Sequence, residues 1–150
     1  MFDFQNSSKH SQIICEMRIN MKKDFENFLY IELKSGYSDD GPAWIGRVKY
    51  SKTGQTVYFN DKGFQKSPGI SGNYFDVETG EEYWISGVKK NGEDRHSAGS
   101  GKVMIDRKII DDYLTITGQI SIDNRRLEIV DIPDVFPVDR IKKVVNRGNH

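Results

Sequence analysis

Residues 94–102 read Asp-Arg-His-Ser-Ala-Gly-Ser-Gly-Lys, and two kinds of chemistry can be written for them. A glycine-rich run ending in lysine could cradle phosphate, and His96 could act as a general base near neutral pH. The phosphate reading fails on spacing. A phosphate loop needs glycine five positions before its Gly-Lys pair and a Ser or Thr after the lysine to reach magnesium. Here His96 stands five positions before Gly101, and Val103 follows Lys102. The next element must also be a helix whose N-terminus faces the phosphate, whereas residues 102–106, Lys-Val-Met-Ile-Asp, have the character of a strand. His96 as a base would need an orienting carboxylate, and Glu93 and Asp94 are the local candidates. His10 and His150 fall in the two tails, so the three histidines do not form a set. The reading that remains is a flexible loop between two strands.

Carboxylates offer no better catalyst. Asp39–Asp40, Glu81–Glu82 and Asp111–Asp112 are chain neighbours, and neighbours on a strand face opposite ways. Acid–base hydrolysis needs two carboxyl groups converging across a cleft about 5–10 Å wide. The run Asp39-Asp40-Gly41 lacks the alternating ligands and distal glutamate of a calcium loop. The single cysteine, Cys15, allows neither an intramolecular disulfide nor a cysteine-based zinc site. These residues imply no enzyme, no metal and no cofactor.

Binding chemistry is better represented. Arg47, Lys49, Lys52 and Lys62 are interleaved with Trp44, Tyr50, Tyr58 and Phe59, and Lys89, Lys90, Arg95 and Lys102 flank the loop at 96–101. Basic grooves with aromatic platforms bind single-stranded nucleic acid. A small barrel also needs aromatics for its core and lysines for its outside, which accounts for most of the same pattern. Trp84 and Tyr58, if both exposed, would form an aromatic patch of the kind that marks a partner site. The candidate partner-binding residues are therefore Trp84, Tyr58, Arg47, Lys49, Lys89, Lys90 and Arg95.

These residues must be positioned by strands. Twelve of the fourteen glycines lie between Gly36 and Gly101, where short aromatic and β-branched runs alternate with turn signals. Residues 28–33 read as a first strand. In residues 43–51, Trp44, Gly46, Val48 and Tyr50 share one face, with Arg47 and Lys49 on the other. Residues 52–55 turn, 56–60 return, and the Asn60–Gly63 turn leads to a further strand. The Glu78-Thr79-Gly80 turn separates strands at 73–77 and 82–88. Residues 106–114 form a short helix capped by Asp106. Beyond it, 115–122 and 125–132 read as a hairpin turning at Asp123–Asn124, and 138–150 as a terminal helix.

The expected fold is mainly β, a small, strongly bent antiparallel sheet or SH3-like barrel with one short helix and a C-terminal extension. Its organisation is an N-terminal extension at 1–26, for which Met21 offers an alternative start, a barrel-like domain at 27–115, and a hairpin and tail at 116–150. The composition is that of a folded chain, with 36% hydrophobic and 11% aromatic residues. Twenty-two basic and twenty-two acidic residues cancel, so global charge points to neither nucleic acid nor membrane. No leader peptide and no apolar run near membrane-spanning length is visible, which leads to the expectation of a cytoplasmic protein.

The blocks Gly46–Phe59 (GRVKYSKTGQTVYF), Phe64–Lys66, Asn73–Gly87 (NYFDVETGEEYWISG), Lys89–Gly92 and Asp111–Leu114 resemble, in this order, a family of small bacterial proteins of unknown function. The resemblance covers about residues 27–115. Members of that family are sometimes labelled 1-deoxy-D-xylulose-5-phosphate synthase. That activity requires thiamine diphosphate held through a Gly-Asp-Gly motif in a large α/β protein, and this chain has no such motif. The resemblance therefore implies a fold and no activity. The function read from the sequence is a non-catalytic binding module. Its first-choice partner is a protein, in an immunity or accessory role, and its second is single-stranded nucleic acid.

Overall fold

The computed structural model describes residues 27–36, 40–95 and 101–148. His96, His10, His150, Cys15, Asp39, the N-terminal extension and most of the loop at 96–101 lie outside the described residues. The chain is mainly β, a nine-strand sheet curled into a half-barrel with two short helices. The strands are β1 (Phe28–Leu33), β2 (Ala43–Arg47), β3 (Lys49–Tyr50), β4 (Thr56–Phe59), β5 (Lys62–Lys66), β6 (Tyr74–Asp76), β7 (Glu82–Ser86), β8 (Val103–Asp106) and β9 (Leu127–Val130). A 3-10 turn (Arg107–Ile109) leads into α1 (Ile110–Thr117), and α2 (Val138–Gly148) closes the chain. The sheet order is β3-β4-β5-β6-β7-β1-β2-β8-β9.

Turn chemistry sets the antiparallel part. Phe59 pairs with Lys62 across a two-residue turn, and Asn60 and Asp61 both have positive φ, the backbone that matches strand twist in a tight hairpin. Asp76 closes the β6–β7 connection, its Oδ1 accepting from the backbone N–H groups of Glu78 at 2.8 Å and Thr79 at 3.3 Å. The curl closes through one residue. The chain passes from β2 to β3 through Val48 alone, so one kinked strand pairs with β1 at one end and β4 at the other. The Val48 N–H donates to the Asn27 carbonyl at 2.7 Å, fixing the kink.

The alternation read from Trp44 to Lys49 is present in the fold, whereas Tyr50, read on the same face as Val48, is 40% exposed on the short edge strand β3. Trp44, Gly46 and Val48 turn inward, while Arg47 and Lys49 stay exposed. The inner cluster joins Ile31, Val48, Val57, Phe59, Phe64, Tyr83, Ile85 and Ile132. Gly46 is required here, because a Cβ at that position would stand 2.7 Å from the Phe59 ring. A second cluster lies on the outer face, where Phe28, Tyr30, Ile45, Val103, Ile105 and Leu127 are covered by Ile109 and Tyr113.

The expected hairpin at 115–132 does not form. Residues 115–117 complete α1, which ends at Gly118 in the left-handed conformation, and β9 pairs in parallel with β8. Thr115, Ile116 and Thr117 are β-branched and alternate like a strand. Ile110, Tyr113 and Leu114 also fall on one helical stripe, which packs against the outer cluster together with Ile116. Burial of that stripe outweighs the small propensity difference of each β-branched residue. Strand β8, helix α1 and strand β9 thus form a βαβ unit, since parallel neighbours need a crossover of a dozen or more residues. The Asp106 cap read from sequence is present, with Oδ1 accepting from the Lys108 N–H at 3.2 Å. The terminal helix expected at the end of the chain is α2, so the C-terminal extension adds a second helix to the one in the barrel-like segment.

Candidate interaction surface

The outer face of the sheet is covered in two places. Helix α1 lies over β1, β2, β8 and β9. Helix α2 lies over β4 and β5, where Ile141 fills the notch left by Gly63, at which a Cβ would meet Ile141 at 2.6 Å. Arg140 secures α2, donating to Asp61 Oδ1 at 2.9 Å, the Asp61 carbonyl at 2.6 Å and Glu78 Oε1 at 3.0 Å. Between the two helices, β6 and β7 keep their outer side chains open to solvent.

Trp84 is the centre of this strip. It pairs with Glu32 across the β1–β7 ladder and is 42% exposed. Its indole N–H has no acceptor among the described residues. The backbone beneath it is held on both sides. Strand β1 pairs with β7 on one side, and on the other Asn73 uses its carboxamide as a strand would, donating to the Ile85 carbonyl and accepting from the Ile85 N–H, both at 2.8 Å. Two residues before Trp84 on the same face, Glu82 accepts from the Ile70 N–H at 2.8 Å. That bond holds the 67–72 loop against the strand and leaves the Ile70 side chain 100% exposed. Phe75, half-buried, faces Glu82 across the β6–β7 ladder. Ile70, Phe75 and Trp84 therefore surround one immobilised carboxylate.

A buried polar ladder underlies Trp84. Glu32 is 1% exposed and accepts from the Tyr30 hydroxyl, and Lys34 Nζ lies 2.6 Å from its Oε2. A carboxylate so deeply buried persists only with such partners. Burial, followed by the hydrogen bond to Glu32, pushes the Tyr30 hydroxyl far above its ordinary pKa. The group is thus a fixed donor and no acid at physiological pH. The neighbouring loop is tied down by Asp94, whose Oδ1 accepts from the Lys89 N–H at 2.7 Å, and by Arg95, which donates to the Gly41 carbonyl at 2.8 Å. Burial raises the Asp94 carboxyl above its usual range, against the Lys89 N–H and ammonium, which lower it.

The seven residues selected from sequence do not come together. Trp84 is exposed where a partner can reach it. Tyr58 is 2% exposed, covered by α2, so it forms no exposed patch with Trp84. Arg47 is ion-paired with Asp134 at 3.8 Å, at the end of β2. Lys49 is exposed on the β3 edge, Lys89 and Lys90 are exposed on the turn after β7, and Arg95 is half-buried. Sequence reasoning missed Ile70 and Phe75. An isoleucine inside Pro68-Gly69-Ile70-Ser71-Gly72, where the turn residues leave it no strand to bury in, was the available signal. Among the described residues, no cluster of three His, Cys, Asp or Glu side chains is placed to hold a metal ion, and no helix is long and apolar enough to cross a membrane. No family model, curated protein or solved structure matches the chain.

Proposed function

We propose that the protein is a non-catalytic binding module of the cytoplasm that docks a protein partner through the strip carrying Trp84. The observation behind this reading is a solvent-exposed tryptophan standing on a strand held from both sides, with an exposed isoleucine fixed beside it. Tryptophans in such settings dominate interface energetics, because they bring large contact area with little side-chain entropy to lose. The dispersal of Arg47, Lys49, Lys89, Lys90 and Arg95 over separate edges argues against a continuous phosphate-tracking groove, which places nucleic acid second. An immunity or accessory role fits a module that acts by occupying a partner's surface.

The test is capture from lysate of the source cells with and without nuclease, followed by affinity measurement on the captured partner. Trp84→Ala is expected to weaken a nuclease-resistant complex by about 30-fold or more, the hot-spot range, with little dependence on salt. Loss of the partner on nuclease treatment, or an affinity that falls steeply with salt while Trp84→Ala has no effect, would replace this reading with nucleic-acid binding.

A further inference from the structure

A second feature lies on the same outer face, next to the Trp84 strip: Gln65 on its border pairs with Phe75 across β5 and β6. Where α2 rests on β4 and β5, beside the turn at 51–55, it leaves an open groove of about 240 Å³. Its floor is the outer face of β4. Thr56 and Tyr58, two residues apart, both point into it, and Ile141 and Val145 of α2 form its apolar wall. Both floor residues are more than nine-tenths buried. Neither hydroxyl has a hydrogen-bond partner among the described residues. Gln65, opposite Thr56 in the β4–β5 ladder, and Asn146 on α2 also line the groove with unpaired carboxamides.

Both hydroxyl oxygens open into the groove, where a ligand can use hydrogen-bonding capacity that no described residue takes up. The composition of the groove defines what would satisfy them. Hydroxyl and carboxamide groups both donate and accept, matching a ligand whose own groups do the same. Phosphate or sulfate, which only accept, would call for a convergent set of cations or backbone N–H groups, and Lys142 is the sole cation in the lining. Burial, followed by the nearby Asp139 charge, raises the Tyr58 pKa, so its hydroxyl remains a proton donor. The Tyr58 ring, Ile141 and Val145 supply a carbon surface suited to the C–H face of a ring.

We infer that the groove between α2 and β4–β5 binds a neutral sugar ring, either a free monosaccharide or one residue of a glycan chain, with Thr56 and Tyr58 donating to its hydroxyls.

The inference is tested by titrating the isotope-labelled full chain with glucose, galactose, N-acetylglucosamine and their soluble oligosaccharides, with inorganic phosphate in parallel, following backbone amide signals. At least one neutral sugar is expected to shift the signals of residues 51–58, 65 and 141–146 in a saturable way, while phosphate leaves them in place. Tighter binding of the oligosaccharide identifies a glycan, and equal binding a free sugar. Tyr58→Phe and Thr56→Val, which remove hydroxyls that bond no described residue, are expected to keep the Tm and each to weaken binding about two- to tenfold. The inference is overturned if no sugar moves these signals, if phosphate moves them equally, if the double variant binds as the wild type does, or if loss of the hydroxyls lowers the Tm.

Discussion

The two helices cover the same sheet on the same face, yet they do so by different physics. Helix α1 rests on an apolar field drawn from four strands, into which its own Tyr113 and the preceding Ile109 are buried. Helix α2 has one fully buried apolar contact, Ile141 in the Gly63 notch, and otherwise holds by Arg140 and its two acidic partners. The first helix is part of the core. The second is a clasp over a polar floor, and its incomplete contact leaves the groove. A helix segment is thus no guide to what lies beneath it, and the number of apolar residues it presents decides whether it seals a surface or spans it.

Substitutions separate the two. Ile105→Ala, beneath α1, is expected to cost about 3–4 kcal/mol and to lower the Tm of the whole chain in one transition, because the cavity opens in the shared core. Ile141→Ala is expected to cost less, about 2 kcal/mol, and to act locally. Hydrogen exchange should then quicken in residues 138–148 and along the outer side of β4 and β5, while β1, β2 and β8 keep their protection. Uniform loss of protection in Ile141→Ala would show that α2 is as much a part of the core as α1, and the contrast would fail.

The smallest effect concerns the loop beside α1. The Asp94 carboxyl titrates above its ordinary value because of burial, and its Oδ2 has no hydrogen-bond partner. A carboxyl whose pKa rises on folding contributes stability that is complete below its unfolded-state pKa and lost as pH climbs through the folded value. At neutral pH the ionised group therefore opposes folding. Asp94→Asn keeps an acceptor for the Lys89 N–H and is expected to raise stability at pH 7 by at most about 1 kcal/mol. That gain should shrink to nothing as the pH falls below the ordinary carboxylate range. Denaturation midpoints measured across pH would check this, and a gain independent of pH would assign the effect to something other than charge.

Much of the curl was legible because its signals are local. The turn read at Asn60–Gly63, which the fold tightens to Asn60–Asp61, the Glu78–Gly80 turn and the alternation from Trp44 to Lys49 each act within a few residues and are present in the fold. The βαβ unit was misread because its deciding interaction is distant: residues 115–117 become helical through burial against Phe28, Tyr30 and Ile45, some seventy to ninety residues earlier in the chain. Tyr83 and Ile85 claim the inner face of β7, which leaves Trp84 exposed on the outer one. Tyr58 was not legible as buried, since the element that covers it, α2, starts eighty residues later. The groove could not be read at all, because it exists only where two remote segments fail to meet fully.

Val48 also limits how the chain can change in length. As the single residue joining β2 to β3, it sets the phase in which side chains alternate along both. One residue inserted there would turn the inner and outer faces of one half of the curl against the other, bringing Lys49 inward. An insertion at Thr53–Gly54, in the exposed turn, would only lengthen a loop. The molecule therefore has one joint that fixes its parity and several turns that do not, and length variation belongs at the turns.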